Sequence, residues 1–421
     1  MQRELTAPTP ADPEDGGLPV LPELTARFAG AAGRTAPEPV GGGPALRTAA
    51  CGYWERRGLW TDPEHVAAAP GGQPLLLSLL AAAGGDVLLT RPCASWYAPL
   101  ARLAGRPAYH APVPAECGGV PDPFALLETV RRVRAEGGEP RVLLLSVADD
   151  PTGTTAPPEL LHEVCEAAVA EGMLIVSDET WRDTVHHPHG TVLLSPAEMC
   201  PEDVVVLTDL AGAFTPPGWP AALARFPATE RGVELRARVL STLDALRAAL
   251  LPPVAAAAAH ALDEPEPVRE RTAAAARVHG AVAAAVYRAL TAVGALCRPP
   301  QAGRQLYADL DELRGDLAAR GITDSVELER ELTRGLRRPV PGGHRFGDAP
   351  HTLRVRLSTL PLLGAGDQAR LAALAAADPL RVPHVAEALT AFDTAFRELT
   401  QAGPRPTGTG TGTGTEGSPL S

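Results

Sequence analysis

Residues 173–181 read Met173-Leu174-Ile175-Val176-Ser177-Asp178-Glu179-Thr180-Trp181, an apolar run that ends abruptly in acidic residues. A short run bounded in this way fits a strand buried on both faces, with its last residues emerging at the carboxyl edge of a sheet. Working outward, similar runs stand at Val87–Thr90, Val142–Val147 and Val204–Thr208, separated by helical stretches such as Glu159–Glu171. Strands alternating with helices predict a mainly parallel sheet with both faces covered. Active residues in such a fold sit at the carboxyl ends of the strands. Asp150, Asp178 and Asp209 each fall at or just past one of these ends. They are expected around one cleft.

Three stretches in order, Asp150-Pro151-Thr152-Gly153, Ser177-Asp178-Glu179-Thr180-Trp181 and Pro217-Gly218-Trp219, resemble the signature series of class I/II aminotransferases, the fold-type I pyridoxal-phosphate (PLP) enzymes. Residues 43–59 resemble the opening helix of that family. The glycine turns before Leu306–Leu310 and Leu353–Ser358 resemble its small C-terminal domain. The resemblance implies an α/β fold with a mainly parallel central sheet flanked by helices and a smaller α+β C-terminal domain. The expected division is a flexible N-terminal arm over 1–44, a large domain over 45–258, a small domain over 259–402 and a disordered Thr/Gly-rich tail over 403–421.

The chain contains no lysine; its 38 basic residues are all arginine. The family resembled here holds PLP as a Schiff base on a lysine amine. Arginine cannot replace it, because a guanidinium stays protonated and has no lone pair to attack an aldehyde. Abundant Ala, Gly, Pro and Arg fit drift in a GC-rich genome, so lysine scarcity alone has a bland explanation. Loss of the one catalytic lysine does not follow from drift.

Each group that PLP presents can be compared with the residue at the matching position. Asp178 matches the aspartate that keeps the pyridine nitrogen protonated, against the common alternative of a strand-end cap. Asp150 replaces an asparagine and Trp181 a tyrosine at the 3-hydroxyl, which exchanges donors and acceptors for groups that hold the cofactor less well. Gly71-Gly72 can still offer backbone amides to a phosphate at a helix start, although Pro74 removes one donor. The family's Ser-x-Ser-Lys and later Arg align with Asp209, Ala211, Gly212 and Pro220, so Gly212 stands at the Schiff-base position. A one-residue shift would recover Thr208 as a phosphate hydroxyl. Ala94 occupies the place of the ring-stacking aromatic, with Trp96 and Tyr97 close enough to substitute. The phosphate-binding tyrosine lent across a dimer has no counterpart before Tyr53. Arg356, within Arg354-Val355-Arg356-Leu357-Ser358, matches the arginine that grips the substrate α-carboxylate through a bidentate fork; a surface arginine on an edge strand is the rival explanation.

The formal net charge of −12 and the lack of a basic run argue against nucleic acid or an anionic membrane as partner. Six scattered cysteines form no C-x-x-C pair and read as free thiols of a cytoplasmic protein. His186-His187-Pro188-His189 falls in an expected loop without familiar ligand spacing, and no metal site is expected. These residues together predict an aminotransferase-like pseudoenzyme with no covalently bound cofactor and at most weak non-covalent PLP. Such a protein would bind a small amino-acid-like carboxylate through Arg356 and pair as a homodimer or with an active relative. The alternative is an unconventional enzyme that uses the carboxylates of the remodelled cleft for acid–base work on another ligand.

Overall fold

The computed structural model describes residues 17–400. The expected tail over 403–421 and the first part of the expected arm lie outside them. Among the described residues there are ten strands: β1 Val66–Ala69, β2 Asp86–Arg91, β3 Ala108–Pro112, β4 Pro140–Ser146, β5 Leu174–Asp178, β6 Val204–Asp209, β7 Ala222–Arg225, β8 Leu296–Cys297, β9 Gln305–Asp309 and β10 Arg354–Ser358. The first seven form one sheet in the order β1-β7-β6-β5-β4-β2-β3. Strand β7 pairs antiparallel with β1 and β6, and every other pairing in this sheet is parallel. The fold is therefore α/β with a mostly parallel central sheet.

The inner strands β4, β5 and β6 are largely apolar because both faces are covered, and their successive side chains divide between the two sides. Leu143, Leu145, Ile175, Val204 and Val206 enter one core, where they meet Leu46, Ala50, Tyr53 and Trp54 of α2 (Pro44–Glu55). Val142, Leu144, Val176, Val205 and Leu207 enter the other, against Leu75, Leu76, Leu79 and Leu80 of α3 (Gly72–Ala83). Full burial of a leucine contributes about 1.5–3 kcal/mol, so the four on α3 fix this helix firmly on its face of the sheet. Its first turn is thereby held beside the end of β6.

Within the span read as an arm, Pro22–Ala31 forms helix α1 and packs on the helix Pro252–Leu262. Proline in its first turn suits this start, since that N–H has no partner inside the helix. Strands β8, β9 and β10 make a separate antiparallel sheet in the order β10-β9-β8. Its core draws on Leu306, Ala308, Val355 and Leu357 together with the long helix Glu266–Ala292. Among the described residues no helix is long and apolar enough to cross a membrane.

Candidate functional site

The cleft forms where β4, β5 and β6 end. Parallel neighbours in register bring Ser146 opposite Asp178, and Asp178 opposite Leu207. Asp150, Asp178 and Asp209 thus leave the sheet on the same edge.

Asp178 is buried at the end of β5, with Oδ2 accepting the Tyr97 hydroxyl at 2.5 Å and Oδ1 accepting the Thr180 amide at 3.0 Å. Burial raises its pKa, against the lowering effect of those hydrogen bonds from Thr180 and Tyr97. Tyr97, which sequence reasoning offered as a stacking ring, acts here through its hydroxyl. Its neighbour Trp96 packs edge-on against it with ring centroids 4.8 Å apart.

Asp209 takes the position that an anionic ligand would occupy at the start of α3. Its Oδ2 accepts the Gly72 amide at 2.7 Å and its Oδ1 accepts the Ala211 amide at 3.0 Å. Gly71 has φ +100°, a conformation that favours glycine. A Cβ on Gly72 would lie 3.1 Å from Asp209 Oδ2 and 3.4 Å from Trp96. The glycine turn lets a carboxylate reach the helix N-terminus, where the backbone dipole favours negative charge. Burial and the nearby Asp178 raise the pKa of Asp209, whereas the Ala211 and Gly72 amides lower it.

Thr208 does not supply the hydroxyl expected of it. Side chains 204, 206 and 208 share the face of β6 away from α3, whereas 205, 207 and 209 share the face toward it. The Thr208 side chain is buried and its hydroxyl has no hydrogen-bond partner among the described residues. The one-residue shift that would place Thr208 at a phosphate is therefore excluded by strand parity.

Asp150 meets Arg356 across the cleft. Nη1 of Arg356 donates to Asp150 Oδ1 at 3.1 Å and Oδ2 at 3.3 Å, and the guanidinium lies 5.3 Å from the Phe346 ring centroid. Arg356 is only 8% exposed, and burial pulls its pKa down to about 10. It is not a surface residue of an edge strand. Trp181 lies 5.0 Å beneath the guanidinium of Arg304.

Position 212 is closed. A Cβ on Gly212 would stand 2.1 Å from the carbonyl oxygen of Thr180 and 3.0 Å from its carbonyl carbon. No side chain of any kind fits there without backbone movement, because the Thr180 carbonyl after β5 fills the space next to Gly212.

Sequence reasoning missed Asp149. It is 2% exposed, accepts the Thr152 hydroxyl at 2.5 Å and the Thr152 amide at 3.2 Å, and burial pushes its pKa up to about 7. The Asp149-Asp150 doublet was the available signal. Of the histidine run, His186 is buried and bonded to the Gly303 carbonyl at 2.8 Å, while His187 and His189 are exposed. The run is split between core and surface.

Comparison with known proteins gives these features a family. Residues 20–355 match the model of the aminotransferase class I and II family, and the chain belongs to that family. It is 31% identical over 220 residues to the probable aspartate/prephenate aminotransferase of Thermus aquaticus, covering 51% of this chain and 55% of that protein. It is 28% identical over 221 residues to the probable N-succinyldiaminopimelate aminotransferase DapC of Mycobacterium tuberculosis, covering 51% and 54%. The chain spans about half the length of the curated relatives it matches. In three dimensions it resembles aspartate aminotransferase from Thermus thermophilus with maleate, with a TM-score of 0.72, 22% identity and coverage of 88% of this chain and 87% of the other. The N-succinyldiaminopimelate aminotransferase of M. tuberculosis also gives a TM-score of 0.72, at 23% identity, with coverage of 89% and 90%. At these identities the likeness shows the fold.

Family membership corrects the expectation of a protein with no covalent cofactor and at most weak, unbonded PLP. The family and the relatives matched are PLP-dependent aminotransferases, which hold PLP covalently through a lysine, so PLP is the cofactor that this membership implies. The residues in the cleft do not fit it in the family's manner. The chain has no lysine, and Asp209 already takes the Gly72 amide.

Proposed function

We propose that this chain is a catalytically degenerate aminotransferase, a family member that keeps the scaffold and has lost lysine-dependent transamination. The contact at Gly212 carries this reading: the backbone carbonyl of Thr180 stands 2.1 Å from where a Cβ would be. Loss of a lysine by one substitution would leave an open space behind it. Closure of that space by backbone makes the change structural, and two further carboxylates support the same conclusion. Asp209 satisfies the N-terminus of α3, and Asp150 satisfies Arg356. Each brings the chain's own negative charge to a cationic or dipolar group suited to binding an anion. An incoming carboxylate must displace Asp150 to reach Arg356.

The alternative, acid–base chemistry in the remodelled cleft, has in its favour Asp149, whose pKa is pushed up to about 7. At 2% exposure that carboxyl group is out of reach of a ligand. The test is transfer of the amino group from aspartate to prephenate with added PLP, followed as aspartate consumed. The reading predicts no turnover above the rate without protein; sustained turnover would overturn it.

A further inference from the structure

The loop that leads into β1 reads Trp60-Thr61-Asp62-Pro63-Glu64-His65. Pro63–His65 make a single 3-10 turn, and β1 begins at the next residue. Three arginines pin this loop. Arg47 of α2 donates to the Pro63 carbonyl at 3.1 Å, Arg236 of the helix Glu230–Ala245 to the Val66 carbonyl at 2.9 Å, and Arg225 of β7 to the Thr61 hydroxyl at 2.8 Å. These bonds hold the backbone and one hydroxyl and leave the carboxylates alone. Arg236 and Glu64 feel each other's charge, yet among the described residues neither Asp62 nor Glu64 forms an ion pair with an arginine.

Two independent observations mark this turn as a place for a cation. Asp62, Glu64 and His65 each bring one ligand atom within 4.8 Å of the other two, and Asp62, although it stands at the N-cap of the turn, makes no capping bond with its side chain. The second is the state of His65, which is only 8% exposed. Its Nδ1 is buried with no hydrogen-bond partner among the described residues, and its Nε2 faces Glu64 Oε1 at 3.8 Å, beyond hydrogen-bond reach. A buried polar group left without a partner is costly. The ring cannot easily swing out to water, because the His65 carbonyl accepts the Phe226 amide at 2.8 Å and fixes its backbone beside β7.

We propose that Asp62, Glu64 and His65 bind a divalent cation of the zinc type, through Nε2 of His65 and one oxygen of each carboxylate, with water completing the coordination. One imidazole and two carboxylates suit Zn²⁺, whereas calcium and magnesium take oxygen ligands. Around a tetrahedral ion with bonds of about 2.0–2.2 Å, neighbouring ligand atoms stand roughly 3.4 Å apart. The group therefore contracts by up to about 1.4 Å on binding. The carboxylates supply that movement, since Asp62 is exposed and the Glu64 side chain is 79% exposed, while the pinned backbone and His65 stay in place. Two solvated carboxylates without an ion would leave the His65 ring unsatisfied. Arg47 and Arg236 oppose a cation here, and no acceptor supports Nδ1, so the expected affinity is micromolar and not nanomolar. The site shares no residue with the cleft and does not depend on the loss of transamination.

The experiment is isothermal titration of the full chain, first stripped of metal with a chelator, with Zn²⁺. One ion is expected to bind per chain. Glu64→Gln, which alters an exposed side chain, and His65→Gln should each weaken binding at least tenfold, with thermal melts confirming that the variants are folded. Zn²⁺ should raise the melting midpoint of the wild-type protein and not that of Glu64→Gln. Replacing the two exposed histidines of the 186–189 run together, by His187→Ala and His189→Ala, should leave the affinity unchanged. Co²⁺ in place of Zn²⁺ should show no thiolate-to-metal charge-transfer absorbance, because no cysteine is a ligand. The proposal is overturned if the wild-type protein does not bind Zn²⁺, if folded Glu64→Gln binds it as tightly as wild type, if the histidine double variant abolishes binding, or if the Co²⁺ spectrum carries a thiolate band.

Discussion

Replacing Asp150 with asparagine, the residue the family carries at that position, should destabilise this protein. Arg356 is 8% exposed and donates to both carboxylate oxygens of Asp150, at 3.1 and 3.3 Å. Removing one partner from a buried ion pair costs about 3–5 kcal/mol, because the remaining charge keeps its desolvation penalty and loses its compensation. Asparagine retains one acceptor oxygen, which places Asp150→Asn at the lower end, about 3 kcal/mol. In a chain of 421 residues that corresponds to a fall in Tm of roughly 3–4 °C. The assay is thermal unfolding monitored by far-ultraviolet circular dichroism, with and without succinate. Succinate at about one hundred times its Kd should return about 2.7 kcal/mol by mass action, since its carboxylate restores to Arg356 the negative charge that asparagine lacks. The wild-type protein should gain much less, because there succinate must first displace Asp150. A variant within about 0.5 kcal/mol of wild type, or equal stabilisation of both proteins by succinate, would refute the reasoning.

Gly212→Ala should lose about 1–3 kcal/mol in urea unfolding, and Gly212→Lys at least as much, because the clash with the Thr180 carbonyl arises at Cβ, 2.1 Å away; an alanine variant as stable as wild type would show that the segment yields freely. Asp209→Ala removes the acceptor for the Gly72 and Ala211 amides, so a loss of about 1–2 kcal/mol is expected from the missing cap on α3, with amide exchange at Gly72 accelerating in the same variant. Stability should also fall as pH rises from about 4 to 7. Asp149 has its pKa raised from 3.8 to about 7 by burial, so the folded chain keeps a proton that the unfolded chain releases. Its contribution is fully present below pH 4 and is lost as pH approaches 7, on the order of 4 kcal/mol in all at 1.36 kcal/mol per pH unit. Asp149→Asn should flatten the urea midpoint between pH 4 and 7; an unchanged slope would assign that dependence to other groups.

Strands β2, β4, β5 and β6 were legible because they are largely apolar runs, two of them ending in aspartates, a local pattern that needs no knowledge of distant contacts; β1, β3 and β7 were not read from the sequence. Observed β5 and β6 end at Asp178 and Asp209, within a residue of the runs read from sequence. The gathering of Asp150, Asp178 and Asp209 on one edge followed from that pattern and from parallel pairing. What stayed hidden depends on contacts between residues far apart in the chain or on side-chain direction. The bond from Tyr97 to Asp178 spans 81 positions and that from Arg356 to Asp150 spans 206. The choice between Thr208 and Asp209 turned on strand parity, which a one-residue uncertainty in alignment leaves open. The closure at Gly212 is made by a backbone carbonyl, and composition says nothing about it. Helix α1 escaped notice because Pro, Gly and acidic residues around it mask a short helical turn that gains its stability by packing on Pro252–Leu262.

The central claim, a scaffold whose cleft is closed against lysine-dependent transamination, is tested most directly at the first proton the reaction must move. Exchange of the α-hydrogen of L-aspartate in deuterated water can be followed by proton NMR with PLP added, with and without the protein. The account predicts an exchange rate equal to that of PLP alone, unchanged on adding protein at concentrations equal to the cofactor. Stereospecific exchange that scales with protein concentration would contradict it.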